Sequence, residues 1–394
     1  MSTDGRIVDI VNFNADASCL ANSSWLSALQ GGSHSTLYHW LSVYVGMQKK
    51  VVLGFPGVTV ADIAQLNPQC ITLINENPDV FEIILRPFAH DIGLLRTADG
   101  FLTNLKLGID IIEQEFKHVS SVYLPPEFMC NSAQISVLAG LGVEAVCLFP
   151  ARFDEEVERR IPLEPFPIKG ILGATMSTLP IDRTISEAYL DGIHCYNADA
   201  WNQSINRPES RSGFSWRDGE SSFLLPDTIG REQAWLDSEK NVTRAFLSET
   251  DLTTNKSSTI PNQIESYPIH SFSAWVNEMK MYWFIDKVSQ IEAELSALSL
   301  IQKSLWLQVI NSDILSAVEK LSPQIDLVTD PDVRRVAPFV IHRQAKAFAG
   351  EELLHLLQNI HDPSARAYLE TSSDPHMVLV RHRLAYLSAS RIEF

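Results

Sequence analysis

The sequence predicts an α/β protein in which parallel strands joined by helices form a barrel, followed by a helical domain. In residues 1–150, short apolar runs alternate strictly with longer amphipathic segments, which is the pattern of parallel strands with helices outside the sheet. No glycine-rich fingerprint for a dinucleotide or a phosphate follows any of these runs, and this favours a barrel over a doubly wound nucleotide-binding sheet. Towards the C-terminus helical periodicity dominates.

Strands and helices are predicted in alternation from the N-terminus onwards. Each strand is a short apolar run, and each helix is a longer segment with apolar residues at helical spacing, such as Leu105, Ile109 and Ile112. In order, the predicted elements are strand 6–14, helix 36–48, strand 49–57, helix 60–78, strand 79–87, helix 102–119, strand 121–127, helix 132–142 and strand 143–150.

The character of the chain changes twice after the fifth predicted strand. Residues 198–266 are rich in Ser, Asn, Asp and Trp, and long polar loops of this kind commonly build the site of a barrel. A polar linker follows, and then Phe284 and Val288 begin a run of apolar residues at helical spacing. The sequence therefore predicts a barrel domain over residues 1–265 and a helical domain over residues 266–394.

Net charge and apolar content limit the class of function. The formal net charge is −17 and the hydrophobic fraction is 45%. The chain is therefore able to bury a sizeable core, but it lacks the basic patches that nucleic acid or an anionic membrane surface requires. A neutral substrate such as a sugar is compatible with this charge, and neither nucleic-acid nor membrane partners are expected.

The N-terminus and the cysteines favour a cytoplasmic protein. The start, MSTDGRIVDIVNF, has no basic segment followed by a long apolar region, so no signal peptide is predicted. No apolar run approaches the ~20 residues that span a bilayer. The five cysteines show neither metal-ligand spacing nor a disulfide framework. No metal and no organic cofactor is predicted, and the oligomeric state is left open.

Four polar side chains lie where parallel α/β folds build their active sites, after strands or in the polar loop region. They are Asp16, His90, Glu127 and Asp218. Three have ordinary structural explanations, since Asp16 suits a helix cap, His90 a core histidine and Asp218 a turn before glycine. Glu127 follows an apolar strand and a Pro-Pro pair, where burial of a carboxylate is costly without a partner. A functional role is therefore favoured for Glu127.

Several stretches of the chain resemble glycoside hydrolase family 57. The segment YLPPEFMCNSAQISVLAGLGVEAVCL resembles the region of the family's nucleophile, in which a strand ends in a Pro-Glu motif and a helix leads to the next strand. VFEIILRPFAHDIGLL is similar to the family's second region, and SWRDGESSF resembles the region of its acid/base aspartate. In the helical part, SLWLQVINSDIL resembles a later segment with a Gln and a Ser-Asp pair.

This resemblance implies a (β/α)7 distorted TIM-like barrel with a C-terminal α-helical domain, acting on α-glucans or related α-glycosides with retention of configuration. Glu127 would be the nucleophile and Asp218 the acid/base. Retaining hydrolysis requires such a carboxyl pair about 5–5.5 Å apart, in environments that separate their pKa values. The residues expected to bind the substrate are Asp16, Glu82, Arg86, His90, Trp216 and Trp235.

These substrate-binding residues have different expected roles. Arg86 and His90 are expected to bind sugar hydroxyls or to keep the nucleophile ionised, with Glu82 orienting them. Trp216 and Trp235 are expected to stack on sugar rings, although plain core packing suits a tryptophan at least as well. One departure stands out, because the family's His-Gln-Pro-like motif after the first strand is replaced by NFNADAS. This points to a specialised branch, or to a barrel whose activity was lost or changed.

Three alternatives remain open on the sequence. A metal-dependent polysaccharide deacetylase would bind its metal through Asp16 and His90, but none of the eleven histidines forms a His-x-x-x-His pair, and a closed metal site needs at least three protein ligands. A non-catalytic sugar-binding barrel is supported by the missing histidine. A transglycosylase would use the same two carboxylates and pass the glycosyl group to a sugar hydroxyl instead of water.

Overall fold

The computed structural model describes residues 5–14, 25–148, 165–182, 212–223, 227–239, 242–252, 279–311 and 352–390. The predicted site residue Asp16 lies outside these ranges. The predicted boundary between residues 265 and 266 also lies outside them, so the division into two domains remains a prediction.

One mostly parallel sheet forms the centre of the described structure. Its strands are β1 (Gly5–Asn12), β2 (Val51–Gly54), β3 (Phe81–Leu85), β4 (Val119–Tyr123), β5 (Ala145–Leu148), β6 (Phe166–Lys169), β7 (Thr175–Pro180), β8 (Ser212–Asp218) and β9 (Val242–Arg244). They follow the order β6-β7-β5-β4-β3-β2-β1-β8, and β9 pairs with β1. Among the strands of the described ranges, only β6 and β7, which a short connection joins, pair in antiparallel fashion. The predicted parallel α/β architecture is thereby confirmed.

The two ends of the parallel series meet between β7 and β8. Ile181, the residue after β7, forms a parallel bridge with Phe214 of β8, and the N–H of Asp182 donates to the carbonyl of Phe214 at 2.7 Å. This contact is a single bridge and not a ladder. The fold is therefore of the distorted (β/α)7 type, with a seam at which the ladder of hydrogen bonds is open.

The inner face of the curved sheet has its own apolar core. Alternate residues of a strand point to opposite faces, so Val8 and Ile10 belong to this inner cluster while Ile7 and Val11 pack against the outer helices. Seven of the parallel strands, all except the short β9, contribute to it, with Val8, Val52, Ile84, Val122, Cys147, Leu179 and Phe214 among its members. Two positions after the last inner-cluster residue of a strand, towards its carboxyl end, the side chain again points inward and therefore faces the mouth of the barrel.

Helices cover the outer face of the sheet and bury a larger core against it. They are α1 (Trp25–Leu29), α2 (Thr36–Met47), α3 (Gly57–Leu66), α4 (Pro68–Glu76), α5 (Ala98–Glu115), α6 (Ser132–Gly140), α7 (Gly219–Phe223), α8 (Thr228–Ser238), α9 (Met279–Glu292), α10 (Leu300–Val309), α11 (352–359), α12 (Pro363–Thr371) and α13 (Pro375–Ala389). None of the helices in the described ranges has the length and apolar character needed to cross a membrane.

The single helix predicted over residues 60–78 is wrong in one respect, because the structure has two helices there. The first ends before Asn67, and Pro68 is the first residue of the second. The residue before a proline is driven away from helical geometry, which explains the break. The Asn67 amide Nδ2 then donates to the carbonyl of Gly32 at 2.9 Å and to the Ser35 hydroxyl at 2.7 Å, so the break also secures a neighbouring turn.

A buried ion pair fastens the C-terminal helices to the barrel. Arg383 of α13 donates through Nε and Nη2 to the carboxylate of Asp62 on α3, at 2.8 and 2.9 Å. Its Nη1 donates to Gln308 at 3.1 Å, and Trp25 donates to the same carboxylate at 3.1 Å. Removal of one partner from a buried pair of this kind costs about 3–5 kcal/mol, so this contact fixes how the helices cover α3.

Helix α5 lies directly on the backbone that leaves β3. A Cβ atom added at Gly108 would lie 2.3–2.4 Å from backbone atoms of Pro87, Arg86 and Phe88. Only glycine permits this approach, and the segment that it supports leads into the mouth of the barrel.

We expect Gly108→Ala to lower the free energy of unfolding by about 1–3 kcal/mol, because the added methyl group forces a backbone shift in a packed region. Gly46→Ala is the matched control, since Gly46 is exposed on α2 with no atom within 4 Å of an added Cβ. That change should raise stability by up to ~1 kcal/mol. Urea denaturation measures both, and equal stability of the two variants would contradict the close packing of α5.

Candidate active site

A buried arginine lies at the carboxyl end of β3. Arg86 is in phase with Ile84 of the inner cluster, so its side chain points to the mouth of the barrel. The residue is 1% exposed, and its Nη1 donates to the carbonyl of Leu124 at 2.5 Å. Its Nε and Nη2 groups are buried and have no hydrogen-bond partner among the described residues. Such groups are costly to bury unless a ligand completes their hydrogen bonds.

Three carboxylates act on the Arg86 guanidinium. Burial lowers its pKa to about 10, since loss of water disfavours the charged form. Negative charge on Glu127, Asp218 and Glu220 opposes this shift. Glu127 follows β4, whereas the other two lie at the end of β8 and the start of α7. The fold therefore brings acidic groups from distant parts of the chain around one buried cation.

Glu127 has a strained backbone conformation. Its φ is 52° and its ψ is 17°, and the next residue, Phe128, also has a positive φ of 55°. Non-glycine residues in this region cost about 1–3 kcal/mol each and persist only where the surroundings enforce them. Pro125 and Pro126 restrict the chain before the turn, and the Phe128 ring packs edge-on against Trp216 at 5.2 Å. These constraints present the Glu127 side chain at the mouth.

His90 lies beside Glu127. Its Nδ1 is 4.0 Å from Glu127 Oε1, which is an ion-pair distance for a protonated histidine and too long for a hydrogen bond. The loop that carries His90 is held by Asn104 of α5, whose side chain accepts from the Ala89 N–H at 2.7 Å and donates to the Ala89 carbonyl at 3.2 Å. His90 is therefore placed by α5 and not by the barrel strands alone.

Successive residues of β8 face opposite sides of the sheet. Trp216 belongs to the inner cluster, and Asp218 is in phase with it. Arg217, between them, faces outward, where it donates to Glu232 of α8 at 2.6 and 3.1 Å and to the Tyr44 hydroxyl at 2.7 Å. The outward arginine fixes β8 between α2 and α8, and this orients Asp218 towards the mouth.

Gly219, directly after Asp218, packs closely against the ring of Phe13. A Cβ atom added at Gly219 would lie 2.5 Å from ring atoms of Phe13. This approach lets α7 begin directly at the end of β8, and it places Glu220 in the first turn of that helix. The Asp-Gly pair is thus a strand-to-helix junction.

Glu82 does not reach the mouth, although a role beside the substrate was expected from its strand. It lies on the same face of β3 as Arg86, but four residues earlier, about 13 Å along the strand. Its fully buried carboxylate accepts from the backbone N–H groups of Leu247 and Ser248 at 2.6 and 3.0 Å, and His118 Nε2 lies 3.6 Å away. Glu82 closes the opposite end of the barrel.

The two predicted tryptophans have different positions. Trp235 of α8 is 3% exposed and belongs to the outer core between helix and sheet, so it lies away from the strand ends. Trp216 lies on the inner face, where it packs on Phe128, and it precedes Asp218 by two residues on the same face of β8. Only Trp216 lies next to the group of charged residues.

The mouth also contains Asn12 and Glu220, which sequence reasoning missed. Asn12 ends β1, is 1% exposed, and is the register partner of both Asp218 and Gly54. An asparagine at the end of an apolar strand carries no catalytic signature in the sequence, but its phase with Val8 and Ile10 predicts an inward side chain. For Glu220, the signal available in the sequence is its position two residues after Asp218.

The described residues contain no group of three or more His, Cys, Asp or Glu side chains arranged to hold a metal ion. No family model matches the sequence, and no curated protein matches it.

Solved structures share the architecture of the chain. The GH57-type branching enzyme from Pyrococcus horikoshii has a TM-score of 0.65 at 10% identity, over 99% of this chain and 98% of that chain. The GH57 branching enzyme from Thermococcus kodakaraensis has a TM-score of 0.65 at 9% identity, over 98% of this chain and 95% of that chain. The chain has a GH57-like fold.

A third similar structure is larger than this chain. The 4-α-glucanotransferase from Thermococcus litoralis has a TM-score of 0.56 at 14% identity, and the match covers 98% of this chain but only 60% of the glucanotransferase. Likeness at these identities extends to the GH57-like fold and not to a particular activity.

In this GH57-like fold, the His90 loop is joined to the C-terminal helices by buried charges. Asp91 forms an isolated bridge with Asn311, and its Oδ1 lies 3.3 Å from Arg96 Nε. Arg96 in turn donates to Glu292 of α9 at 2.7 Å. Two carboxylates thus share one guanidinium. Burial raises the pKa of Asp91 to about 7, helped by Glu292 and opposed by Arg96.

We expect Asp91 to make stability fall as pH rises. Because its pKa is near 7 in the fold and ~3.9 in the unfolded chain, the native state holds the proton more tightly between these values. Ionisation of the buried group therefore lowers the free energy of unfolding between about pH 4 and 7, by up to ~4 kcal/mol. In Asp91→Asn this part of the pH dependence should disappear, as measured by urea denaturation from pH 4 to 8.

The exposed aspartate of α9 provides the control for this experiment. Asp286→Asn removes the same charge from the surface, and it should retain the pH dependence of the unchanged protein. If the slope for Asp91→Asn equals that for Asp286→Asn, the buried carboxyl group is not the source of the effect.

Proposed function

We propose that this protein is a retaining α-glycoside hydrolase or α-glucanotransferase, with Glu127 as nucleophile and Asp218 as acid/base. The observation that carries the proposal is the action of both carboxylates on the buried guanidinium of Arg86, at the end of the barrel where this class of fold has its active sites. The GH57-like fold, and the names of the solved structures that share it, support a glycoside-active enzyme.

Glu127 is suited to nucleophilic attack. Arg86 lies in its field and His90 lies 4.0 Å away, and positive charge near a carboxylate favours its ionised form. Attack on the anomeric carbon breaks the glycosidic bond and forms a glycosyl ester with Glu127. The strained turn at this residue fixes the carboxylate in place, so little ordering is needed when the substrate binds.

Asp218 is suited to proton transfer. It donates its proton to the oxygen of the departing sugar, and it later takes a proton from the water or sugar hydroxyl that cleaves the ester. Glu220 lies close by, and both act on the same guanidinium. Three carboxyl groups around one arginine leave an excess of negative charge, which favours retention of one proton within the group.

The proposed substrate is an α-glucan or an α-linked oligosaccharide. The named activities of the branching enzymes and the 4-α-glucanotransferase support this class. Trp216 is the proposed stacking residue beside the reacting sugar, and Asp16 remains a predicted contact. Hydrolysis and transfer use the same two carboxylates, and the extent to which water is excluded from the acceptor side decides between them.

We expect Glu127→Gln to reduce turnover of both maltooligosaccharides and aryl α-glucosides by at least ~10³-fold, since no nucleophile remains. Asp218→Asn should reduce kcat/KM for maltooligosaccharides by a similar factor but spare kcat/KM for activated aryl glucosides by comparison, because a good leaving group needs little protonation in the step that breaks the glycosidic bond. Steady-state kinetics on both substrates, with analysis of the products, measures this difference.

Glu220→Gln is the matched control at the same mouth. It removes a neighbouring carboxylate that has no assigned proton or nucleophile role, so it should not reproduce the dependence on leaving group expected for Asp218→Asn. Equal losses on the two substrates for Asp218→Asn, or full activity in Glu127→Gln, would overturn the assignment of roles.

A further inference from the structure

One short loop carries both a residue of the candidate site and a residue of the buried charge network. His90 and Asp91 are consecutive residues between β3 and α5, and both are buried. His90 Nδ1 lies 4.0 Å from Glu127 Oε1 at the mouth, whereas Asp91 Oδ1 lies 3.3 Å from Arg96 Nε on the side of the C-terminal helices. Because consecutive Cα atoms are fixed ~3.8 Å apart, a shift of Asp91 also moves His90.

A glutamate of the C-terminal helices is built into the start of α5. Glu292, the last residue of α9, is 3% exposed. Its Oε1 accepts from Arg96 Nη1 at 2.7 Å and from Trp306 Nε1 at 3.2 Å, and its Oε2 accepts from the backbone N–H of Thr97 at 2.9 Å. A Cβ atom added at Gly100 would lie 2.8 Å from this carboxylate. The start of α5 is therefore a closely fitting socket for one carboxylate, which the positive end of the helix dipole also favours.

This socket fixes Arg96 and, through it, Asp91. The Arg96 side chain is buried between the carboxylates of Glu292 and Asp91, so its position depends on both. Asp91 Oδ2 is buried and has no hydrogen-bond partner among the described residues, which leaves Arg96 as the neighbouring cation that offsets the charge of this carboxylate. The contacts therefore run from Glu292 to Arg96, then to Asp91, and along the backbone to His90.

The opposite side of the loop is closely packed. A Cβ atom added at Gly93 would lie 2.8 Å from the ring of Phe101 and 2.9 Å from Gln134 Nε2, and Asn104 holds the backbone of Ala89 through two hydrogen bonds. Closely packed interiors transmit a displacement and do not absorb it. A change at the socket must therefore be taken up by the segment between these restraints, which contains His90.

We propose that Glu292, Arg96 and Asp91 are positioning residues that hold His90 against Glu127, so that docking of the C-terminal helices sets the activity of the site. The proposal deepens the proposed function and rests on it for the role of Glu127 as nucleophile. The three residues act through His90, whose protonated ring favours the ionised form of Glu127. A misplacement of ~1 Å near reacting groups costs up to about 10²-fold in rate, so the position of this ring matters.

A second buried ion pair between barrel and helices provides the contrast. Asp62 of α3 accepts from Arg383 of α13 at 2.8 and 2.9 Å, and both side chains are as buried as those of the first network. The other hydrogen bond to Asp62 comes from Trp25, which belongs to the outer core. Loss of either pair loosens the helices, but we expect only loss of the first to move His90.

Glu292→Gln tests the proposal by kinetics in the full chain. The change removes one of the two carboxylates that share Arg96, so the guanidinium is drawn towards Asp91 and the loop shifts. We expect kcat/KM for aryl α-glucosides to fall at least about tenfold. In a His90→Gln background the same change should cost less than about twofold, because its effect passes through the missing ring. Equal losses in the two backgrounds are the result of a purely structural role and would overturn the proposal.

NMR spectra of protein labelled with ¹³C in its histidine rings give a readout that needs no turnover. His90→Gln identifies the His90 signal among the eleven histidines. At about pH 8, above the pKa of about 7 of the Asp91 carboxyl group, we expect both Glu292→Gln and Asp91→Asn to shift this signal. Asp91→Asn keeps the shape of the side chain, so it decides the matter if Glu292→Gln fails to fold. An unchanged His90 signal would contradict the proposed chain of contacts.

The matched control is Asp62→Asn, which breaks the second ion pair. It should lower the melting temperature while the His90 signal is unchanged and kcat/KM stays within about twofold of the original value. A thermal melt of each variant shows that the kinetics are measured on folded protein. If Asp62→Asn shifts the signal and lowers kcat/KM as much as Glu292→Gln does, the effect is a general loosening of the helices and the proposal is refuted.

The two readouts separate failure of this proposal from failure of the proposed function. If turnover depends on Glu127 but Glu292→Gln and Asp91→Asn leave kcat/KM unchanged, the positioning role is wrong and the function stands, whether or not the His90 signal moves. If the signal moves in these variants but the unchanged protein turns over no α-glycoside, the function is wrong and the link between the helices and His90 stands.

Discussion

The burial of one guanidinium organises the mouth of this barrel. Arg86 is removed from water at the end of β3, and burial disfavours its charge more than the surrounding acids favour it. The fold compensates in two ways. Acidic groups from two distant segments lie around the guanidinium, and the Arg86 Nη1 group donates a hydrogen bond to the Leu124 carbonyl. A buried cation of this kind must be surrounded before it is stable, so the positions of the acids and of the arginine depend on each other.

Each acidic group reaches this cation through a different local device. Glu127 is presented by a strained turn that two prolines and a packed aromatic ring enforce. Asp218 is presented by strand phase, because its neighbour Arg217 is anchored outward in a buried ion pair. Glu220 is presented by a glycine that lets a helix start against Phe13. Backbone strain, the alternation of side chains along a strand and close packing at a glycine therefore each place one acidic side chain near the same guanidinium.

The sequence predicts the architecture well because strand and helix periodicity are local properties. The motifs of the sequence predict Glu127 and Asp218 as a pair. The sequence does not show which end of the barrel a residue of a strand lies at, so Glu82 and Arg86 are both predicted to bind the substrate although they lie at opposite ends of β3. It cannot separate Trp216 from Trp235, since inner and outer cores both use aromatic residues. Asn12 carries no catalytic signal in the sequence, because only the register of the sheet reveals that it lies beside Asp218.

The alternation along β8 has a consequence for how this site can change in evolution. Trp216, Arg217 and Asp218 carry an aromatic ring, a cation and an acid on successive, opposite faces. A deletion or duplication of a single codon within the strand would exchange these faces. The side chain of Arg217 would then point into the mouth, and that of Asp218 would lie beside Glu232 on the outer face of the sheet. Function here can therefore drift by substitution at either face, whereas changes of length must be confined to the connections on either side of the strand.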